Sequence, residues 1–184
     1  MRDLLRERRS APEWAASGQV IEIADKISSF GRLTEIIRRD VETLSPDNRP
    51  VDWREAQVTG RLCFGFADAQ KRMPALEGYV AATVDAVCQR CLEPFQLPLE
   101  VKLELLFAAG PDDFVDTRGY DVWELDEDRL RPLDIVEEVL VMAMPLAAMH
   151  VDDAACKGLQ GEAPAESSTA RPFASLRAQM DKED

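Results

Sequence analysis

The sequence predicts an α+β fold: a mostly antiparallel sheet with one or two packed helices and a flexible C-terminal tail. Residues 96–107 alternate apolar and polar side chains with a strict period of two, which is typical of a half-buried antiparallel strand. Residues 134–144 (DIVEEVLVMAM) carry an apolar stripe at helical spacing. Residues 158–170 (GLQGEAPAESSTA) are small and lack aromatic side chains, a composition that predicts disorder.

The remaining elements follow from the same periodicities. Strands are predicted at 19–24, 57–66, 78–87 and 120–125, and a helix is predicted over 33–44 and ends at Ser45-Pro46. We expect Asp134 to cap the last helix, with Glu137 completing a capping box. The predicted organisation is an N-terminal segment (1–18), a single α+β domain (19–156), and a linker with a short docking segment (157–184).

Charge limits the classes of partner. The chain has 35 acidic and 22 basic residues and a net charge of −13. Because nucleic-acid affinity comes from Lys and Arg neutralising phosphates, any RNA contact should be local or made through a protein partner. The basic pair Arg38-Arg39 is the candidate for such a contact. The start of the chain lacks the apolar run of an export signal, so we expect a cytoplasmic protein with reduced thiols.

No sequence signature of an enzyme is present: the chain lacks GxxxxGK[ST], GxGxxG, GxSxG and HExxH. The acidic clusters are typical of solvated loops rather than of a tuned acid–base pair. The longest apolar stretch, residues 139–149, is too short to span a bilayer. We therefore expect a non-enzymatic protein with no small-molecule substrate and no membrane partner.

The stretch VCQRCLEPF places Cys88 and Cys91 between two predicted strands, at the tip of a hairpin. A tetrahedral zinc ion needs four ligands, and His150 and Cys156 are the candidates for the other two, with Cys63 as a spare. Two other interpretations stay open: a thiol-redox pair, or thiols that only pack in the turn. The redox interpretation is weaker because a thioredoxin-type pair precedes a helix, whereas this pair follows a strand.

The end of the chain carries a second candidate site. In RPFASLRAQM, the apolar residues Phe173, Leu176 and Met180 fall at positions i, i+3 and i+7. Such an amphipathic segment beyond a linker can dock on its own domain or in the groove of a partner. The sequence leaves both alternatives open.

Taken together, these segments resemble the YceD family, whose members occur in bacteria and have relatives in plant plastids. The resemblance runs from about Gln19 to Leu176, and the linker before Pro172 departs from it in composition. Its anchors are Cys88, Cys91, Leu92, Asp134, Glu137, Glu138, Pro145, His150, Phe173 and Leu176.

The resemblance implies a non-enzymatic factor in ribosome biogenesis that supports the synthesis, processing or accumulation of large-subunit ribosomal RNA. Its expected partners are that RNA or pre-ribosomal particles, reached through basic ribosomal proteins or assembly factors. Arg38, Arg39, Phe173 and Leu176 are the candidate partner-binding residues, and the resemblance identifies no catalytic residue. A structural zinc ion at Cys88, Cys91, His150 and Cys156 is the one cofactor considered.

Overall fold

Consecutive strands lie side by side in one sheet, in the order in which they occur along the chain. The computed structural model describes residues 3–108, 119–125, 129–151 and 156. Its strands are β1 (Val20–Lys26), β2 (Gln57–Phe66), β3 (Pro74–Val87), β4 (Pro94–Ala108) and β5 (Asp121–Glu124). Its α-helices are α1 (Ala11–Ser17), α2 (Gly31–Glu42) and α3 (Pro132–Ala143). The α+β prediction is confirmed.

The sheet is antiparallel from β1 to β4, and β5 joins the far edge of β4 in parallel. One face of the central strands is buried, with Leu62, Val80 and Leu103 all nearly inaccessible to solvent. The opposite face is open, as Tyr79 on β3 shows by its 53% exposure. This one-sided burial explains why the period-two patterns located the strands, since alternate residues meet core and water.

The helices cover the buried face. α1 contacts β2 and β3, α2 contacts β3, and α3 contacts β3 and β4. Trp14 of α1 is fully buried and stacks on Phe64 of β2, with ring centroids 4.9 Å apart. Burial of a large aromatic side chain contributes about 1.5–3 kcal/mol, so α1 belongs to the core of the domain.

Residues 3–17 therefore pack on the domain rather than apart from it. Helix α1 is short but has a complete capping box: Glu13 N donates to Ser10 Oγ, and Ser10 N donates to the Glu13 carboxylate. The preceding turn is fixed by two backbone bonds between Arg9 and Leu130. The division between residues 1–18 and 19–156 stays a prediction.

The predicted cap of the last helix is wrong. Helix α3 begins at Pro132, and its N-cap residue is Arg131, which makes no side-chain capping bond. Proline is suited to the first helical position because its fixed φ is already helical and no N–H partner is needed there. Asp134 consequently lies inside the first turn, where Arg131 Nε donates to both of its oxygens at 3.0 Å.

Glu137 caps a different helix. Its Oε1 accepts hydrogen bonds from the backbone nitrogen atoms of Arg32, at 2.6 Å, and Leu33, at 3.3 Å. These belong to the first turn of α2, whose own N-cap residue, Phe30, makes no side-chain cap. A carboxylate at this position both pairs otherwise unsatisfied N–H groups and complements the positive end of the helix dipole. The neighbouring Glu138 forms an ion pair with the Arg32 side chain.

No helix among the described residues is long and apolar enough to cross a membrane. The predicted linker and docking segment, residues 157–184, lie outside the described residues.

Replacing Glu137 with Ala should lower the free energy of unfolding by about 1 kcal/mol, the usual effect of losing a helix cap. Glu138→Ala is the matched control, because it removes a neighbouring carboxylate whose ion pair with Arg32 is partly exposed. Such a pair contributes at most about 1 kcal/mol and usually less. Urea denaturation of both variants measures the difference, and equal losses would contradict the assignment of Glu137 as the cap of α2.

Candidate metal centre

The turn between β3 and β4 holds the two closely spaced cysteines. Cys88 directly follows the last residue of β3, and β4 begins at Pro94. Cys88 N donates to Glu93 O at 3.0 Å, and Leu92 N donates back to Cys88 O at 2.9 Å. The predicted position of the CxxC pair at a hairpin tip is confirmed.

Leu92 shows how tightly this turn is constrained. Its φ is +60°, a left-handed conformation that costs a non-glycine residue about 1–2 kcal/mol. Its side chain is 66% exposed, so burial of the side chain does not offset this cost. The backbone bonds that close the turn hold Leu92 in this conformation.

His150 and Cys156 reach the hairpin tip from the segment that follows α3. The helix ends at Ala143, and the chain then passes Ala148, whose carbonyl accepts a hydrogen bond from Gln89 N at 2.8 Å. The His150 ring lies on the Phe95 ring, with centroids 4.7 Å apart. The backbone bond between Gln89 and Ala148 could not be predicted from the sequence, because backbone groups of almost any residue can form it.

The four side chains converge. Cys88 Sγ lies 3.7 Å from Cys156 Sγ, and His150 Nδ1 lies 3.6 Å from Cys91 Sγ and 3.3 Å from Cys156 Sγ. All four donor atoms lie within 4.8 Å of one another. A tetrahedral ion bound at about 2.0–2.3 Å by nitrogen and sulfur sets neighbouring ligand atoms roughly 3.5–3.8 Å apart. The three measured separations lie within a few tenths of an ångström of this range, so the cluster can bind a metal ion.

The turn also favours a thiolate at Cys88. Burial of this fully inaccessible side chain raises its pKa, but backbone N–H groups of Cys91, His150 and Arg90 that donate to the sulfur outweigh that effect. The result is a pKa of about 5. Cys156 behaves in the opposite way: burial and the neighbouring sulfurs of Cys88 and Cys91 raise its pKa to about 11. A cation among these sulfurs would favour ionisation of both.

The surroundings do not favour a redox role. The CxxC pair is followed by strand β4 and not by a helix, so no helix dipole activates the first thiol. Cys88, the thiol with the lowered pKa, has no exposed surface. Because thiol–disulfide exchange requires attack on an accessible sulfur, this geometry is better suited to holding an ion than to exchanging electrons.

The structure places Cys63 away from the cluster. It lies on β2, opposite Val20 of β1, and is half-buried. The group of candidate ligands among the described residues contains Cys88, Cys91, His150 and Cys156 without Cys63.

The predicted basic contact lies elsewhere, on α2. Arg38 forms bonds to both Glu35 and Glu42, and Arg39 Nε donates to Glu35 at 2.9 Å. Hydrogen bonds from Arg38 and then Arg39 lower the pKa of Glu35 to about 2, so its charge persists and neutralises part of theirs. The other two predicted partner-binding residues, Phe173 and Leu176, lie outside the described residues.

Comparison with known proteins identifies a family. Residues 76–182 match the family described as "Large ribosomal RNA subunit accumulation protein YceD". This range is more than half of the chain, and it includes all four residues of the cluster. The chain belongs to the YceD family. The matched range begins within β3, so it leaves out α1, α2 and the Arg38-Arg39 pair.

A curated YceD relative supports the assignment. The chain is 36% identical over 98 residues to the "Large ribosomal RNA subunit accumulation protein YceD" of Haemophilus influenzae. The alignment covers 52% of this chain and 54% of the relative, so the chain spans about half the length of the curated protein that it matches. No solved structure matches significantly.

The lowered pKa of Cys88 has a measurable consequence in metal-free protein. As the pH is lowered, the ultraviolet absorbance of the thiolate should fall in a transition near pH 5. This transition should be present in the wild type and in Cys63→Ser and absent in Cys88→Ser. Because the folded pKa lies below the ordinary value of 9.0, this thiolate stabilises the fold fully above that value. The stabilisation is lost as the pH falls towards 5. A transition that remains in Cys88→Ser would contradict the assignment.

Proposed function

We propose that this protein is a non-enzymatic factor that supports the accumulation of large-subunit ribosomal RNA, and that a structural zinc ion stabilises it. The observation that carries the proposal is the family match over residues 76–182, the region that contains the whole Cys–Cys–His–Cys cluster. The H. influenzae relative carries the same description.

The donor atoms support zinc. Three cysteine sulfurs and one imidazole form a borderline-soft donor set, which is typical of tetrahedral structural zinc sites in proteins. Because four protein ligands complete the coordination, no position stays open for water or substrate. Zinc would supply no chemistry beyond neutralising the thiolates and cross-linking the chain.

The residues define what such a cross-link would join. Cys88 and Cys91 belong to the tip of the β3–β4 hairpin, whereas His150 and Cys156 come from the segment after α3. Because metal binding at such a site contributes to the free energy of folding, the ion would hold the tip of the β3–β4 hairpin against the segment after α3. The Gln89–Ala148 backbone bond joins the same two parts of the chain.

The charge supports contact with RNA through proteins. A chain with a net charge of −13 gains little from phosphate neutralisation, but it complements basic ribosomal proteins. Arg38 and Arg39 of α2 are both engaged with Glu35, and Arg38 also with Glu42, which weakens the case for a direct phosphate contact there. We therefore propose that the protein acts on pre-ribosomal particles in the cytoplasm, with basic ribosomal proteins or assembly factors as its direct partners.

Protein purified without chelator should contain about one zinc ion per chain, as measured by elemental mass spectrometry. Cys88→Ser and Cys91→Ser should each lose most of the metal, because a serine hydroxyl is a poor replacement for a thiolate. Both should also unfold at a lower temperature than the wild type, since metal binding stabilises the fold.

Cys63→Ser is the matched control, because it removes a thiol of the same chain that lies outside the cluster. It should retain the zinc and the unfolding temperature. Wild-type protein without metal, or equal loss of metal from Cys63→Ser, would overturn the zinc assignment but not the role in RNA accumulation.

Deleting the gene in the host organism should lower the ratio of large-subunit to small-subunit ribosomal RNA, measured together with the precursors by gel or hybridisation. Wild-type protein and Cys63→Ser should restore the ratio. Cys91→Ser should restore it poorly, because loss of the metal at the β3–β4 hairpin lowers the amount of folded protein.

An unchanged ratio after deletion, under both normal growth and stress, would contradict the role in RNA accumulation. Western blotting of each variant separates loss of protein from loss of function. Co-sedimentation of tagged wild-type protein with pre-ribosomal particles tests the proposed partners directly.

A further inference from the structure

We propose that residues 172–180 bind, within the same chain, in an apolar groove between α3 and the β4–β5 edge of the sheet. This inference does not depend on the zinc site or on the role in RNA accumulation. It assigns an occupant to a surface that the described residues leave open, and it selects one of the two alternatives that the sequence allows for the C-terminal segment.

The groove has the size and the lining of a peptide site. Its volume is about 610 Å³, and its walls come from three elements. β4 contributes Leu103 and Leu105, β5 contributes Val122 and Trp123, and α3 contributes Val139 and Met142. Of these, Met142 is a large apolar side chain that is 71% exposed. Trp123 pairs with Phe107, on the same face as Leu103 and Leu105, and is half-buried. Apolar surface grouped in this way is typical of a binding groove.

The edge of the sheet adds a backbone component. β5 is the last strand of the sheet, it has only four residues, and it pairs with β4 on one side. Among the residues that the structure describes, no strand pairs with its outer side. Native proteins commonly cover such an edge with another part of the chain.

The rim of the groove is mainly acidic. Asp121, Glu124 and Glu138 lie along it, against the single basic residue Lys102. Lys102 itself forms an ion pair with Glu104. An occupant of complementary chemistry therefore carries apolar side chains on one side and positive charge beside them.

The C-terminal segment has this chemistry in its sequence. Phe173, Leu176 and Met180 have helical spacing, and Arg171 and Arg177 are the charged residues between 171 and 180. The segment 172–180 thus offers an apolar stripe and the positive charge of Arg177, with Arg171 directly before it and Asp181 directly after it, to an apolar groove with an acidic rim. Within-chain docking also has the advantage of a high effective concentration.

The tether permits the contact. Sixteen residues (157–172) separate Cys156 from Phe173, and they can span up to about 50 Å when extended. The tether begins at the cluster, and His150 of that cluster lies only seven residues after Ala143, which lines the groove. The family match also continues to residue 182, so it includes both the groove-forming β4 and α3 and the segment 172–180.

Hydrogen–deuterium exchange of the full chain tests the proposal. Leu176→Glu should make the amides of β5 and of the last turn of α3 exchange about tenfold faster than in the wild type, because a charged side chain cannot enter the groove. Ser175→Glu is the matched control: it adds the same charge one residue away, outside the apolar stripe, and should speed exchange much less than Leu176→Glu does.

The reciprocal change is made in the groove. Met142→Glu should speed exchange in residues 172–180, whereas Val51→Glu, at an apolar side chain that is 89% exposed and outside the groove, should not. Both substituted side chains are largely exposed, so the fold should survive, and circular dichroism checks this.

Two results would overturn the proposal. In the first, β5 exchanges at the same rate in the wild type, Leu176→Glu and Ser175→Glu, which means that the segment leaves the groove empty in the isolated chain. In the second, protection in the wild type disappears on dilution, which assigns the groove to a segment from a second copy. Protection that is independent of concentration and lost in Leu176→Glu and Met142→Glu supports docking within the chain.

Discussion

Three sulfur atoms and one imidazole nitrogen converge within 4.8 Å at the tip of the β3–β4 hairpin, where Cys88 and Cys156 are withdrawn from water. The surrounding chain is constrained as well: Leu92 in the turn is left-handed, and the segment after α3 lies against the hairpin through the Gln89–Ala148 backbone bond. Packed thiols alone gain little from such a constraint. A shared cation would offset the free-energy cost of this constraint, because it would pair with each thiolate and coordinate it.

Helix α3, which precedes His150 and Cys156 in the chain, also supports α2. Glu137 supplies the cap that α2 lacks, so α2 and α3 are joined by charge-assisted hydrogen bonds as well as by apolar packing. The two acidic residues in LDIVEE thereby act on a partner helix rather than on their own. This cap joins α3 to α2, and the Cys–Cys–His–Cys cluster brings the segment after α3 to the β3–β4 hairpin.

Much of the sheet could be predicted from the sequence, because one face is buried and each strand alternates accordingly. The predicted strand at 57–66 coincides with β2, and β3 and β4 extend the predictions at their ends. Errors arose where tertiary contacts override local pattern. The cap assigned to Asp134 was wrong because Pro132 starts α3 two residues earlier. The parallel pairing of β5 has no local signal. For the site, the residue types and their spacing in the sequence identified the four candidate ligands. The backbone N–H groups that donate to Cys88 could not be predicted, because they depend on the folded turn.

X-ray absorption spectroscopy of the full-length protein, purified without chelator, tests the central claim most directly, because it identifies both the metal and the atoms that bind it. The account predicts zinc with a coordination shell of three sulfur atoms and one nitrogen atom, and the loss of one sulfur or of the metal in Cys91→Ser. Bound zinc with only oxygen and nitrogen neighbours, or metal-free protein with four free thiols, would contradict it.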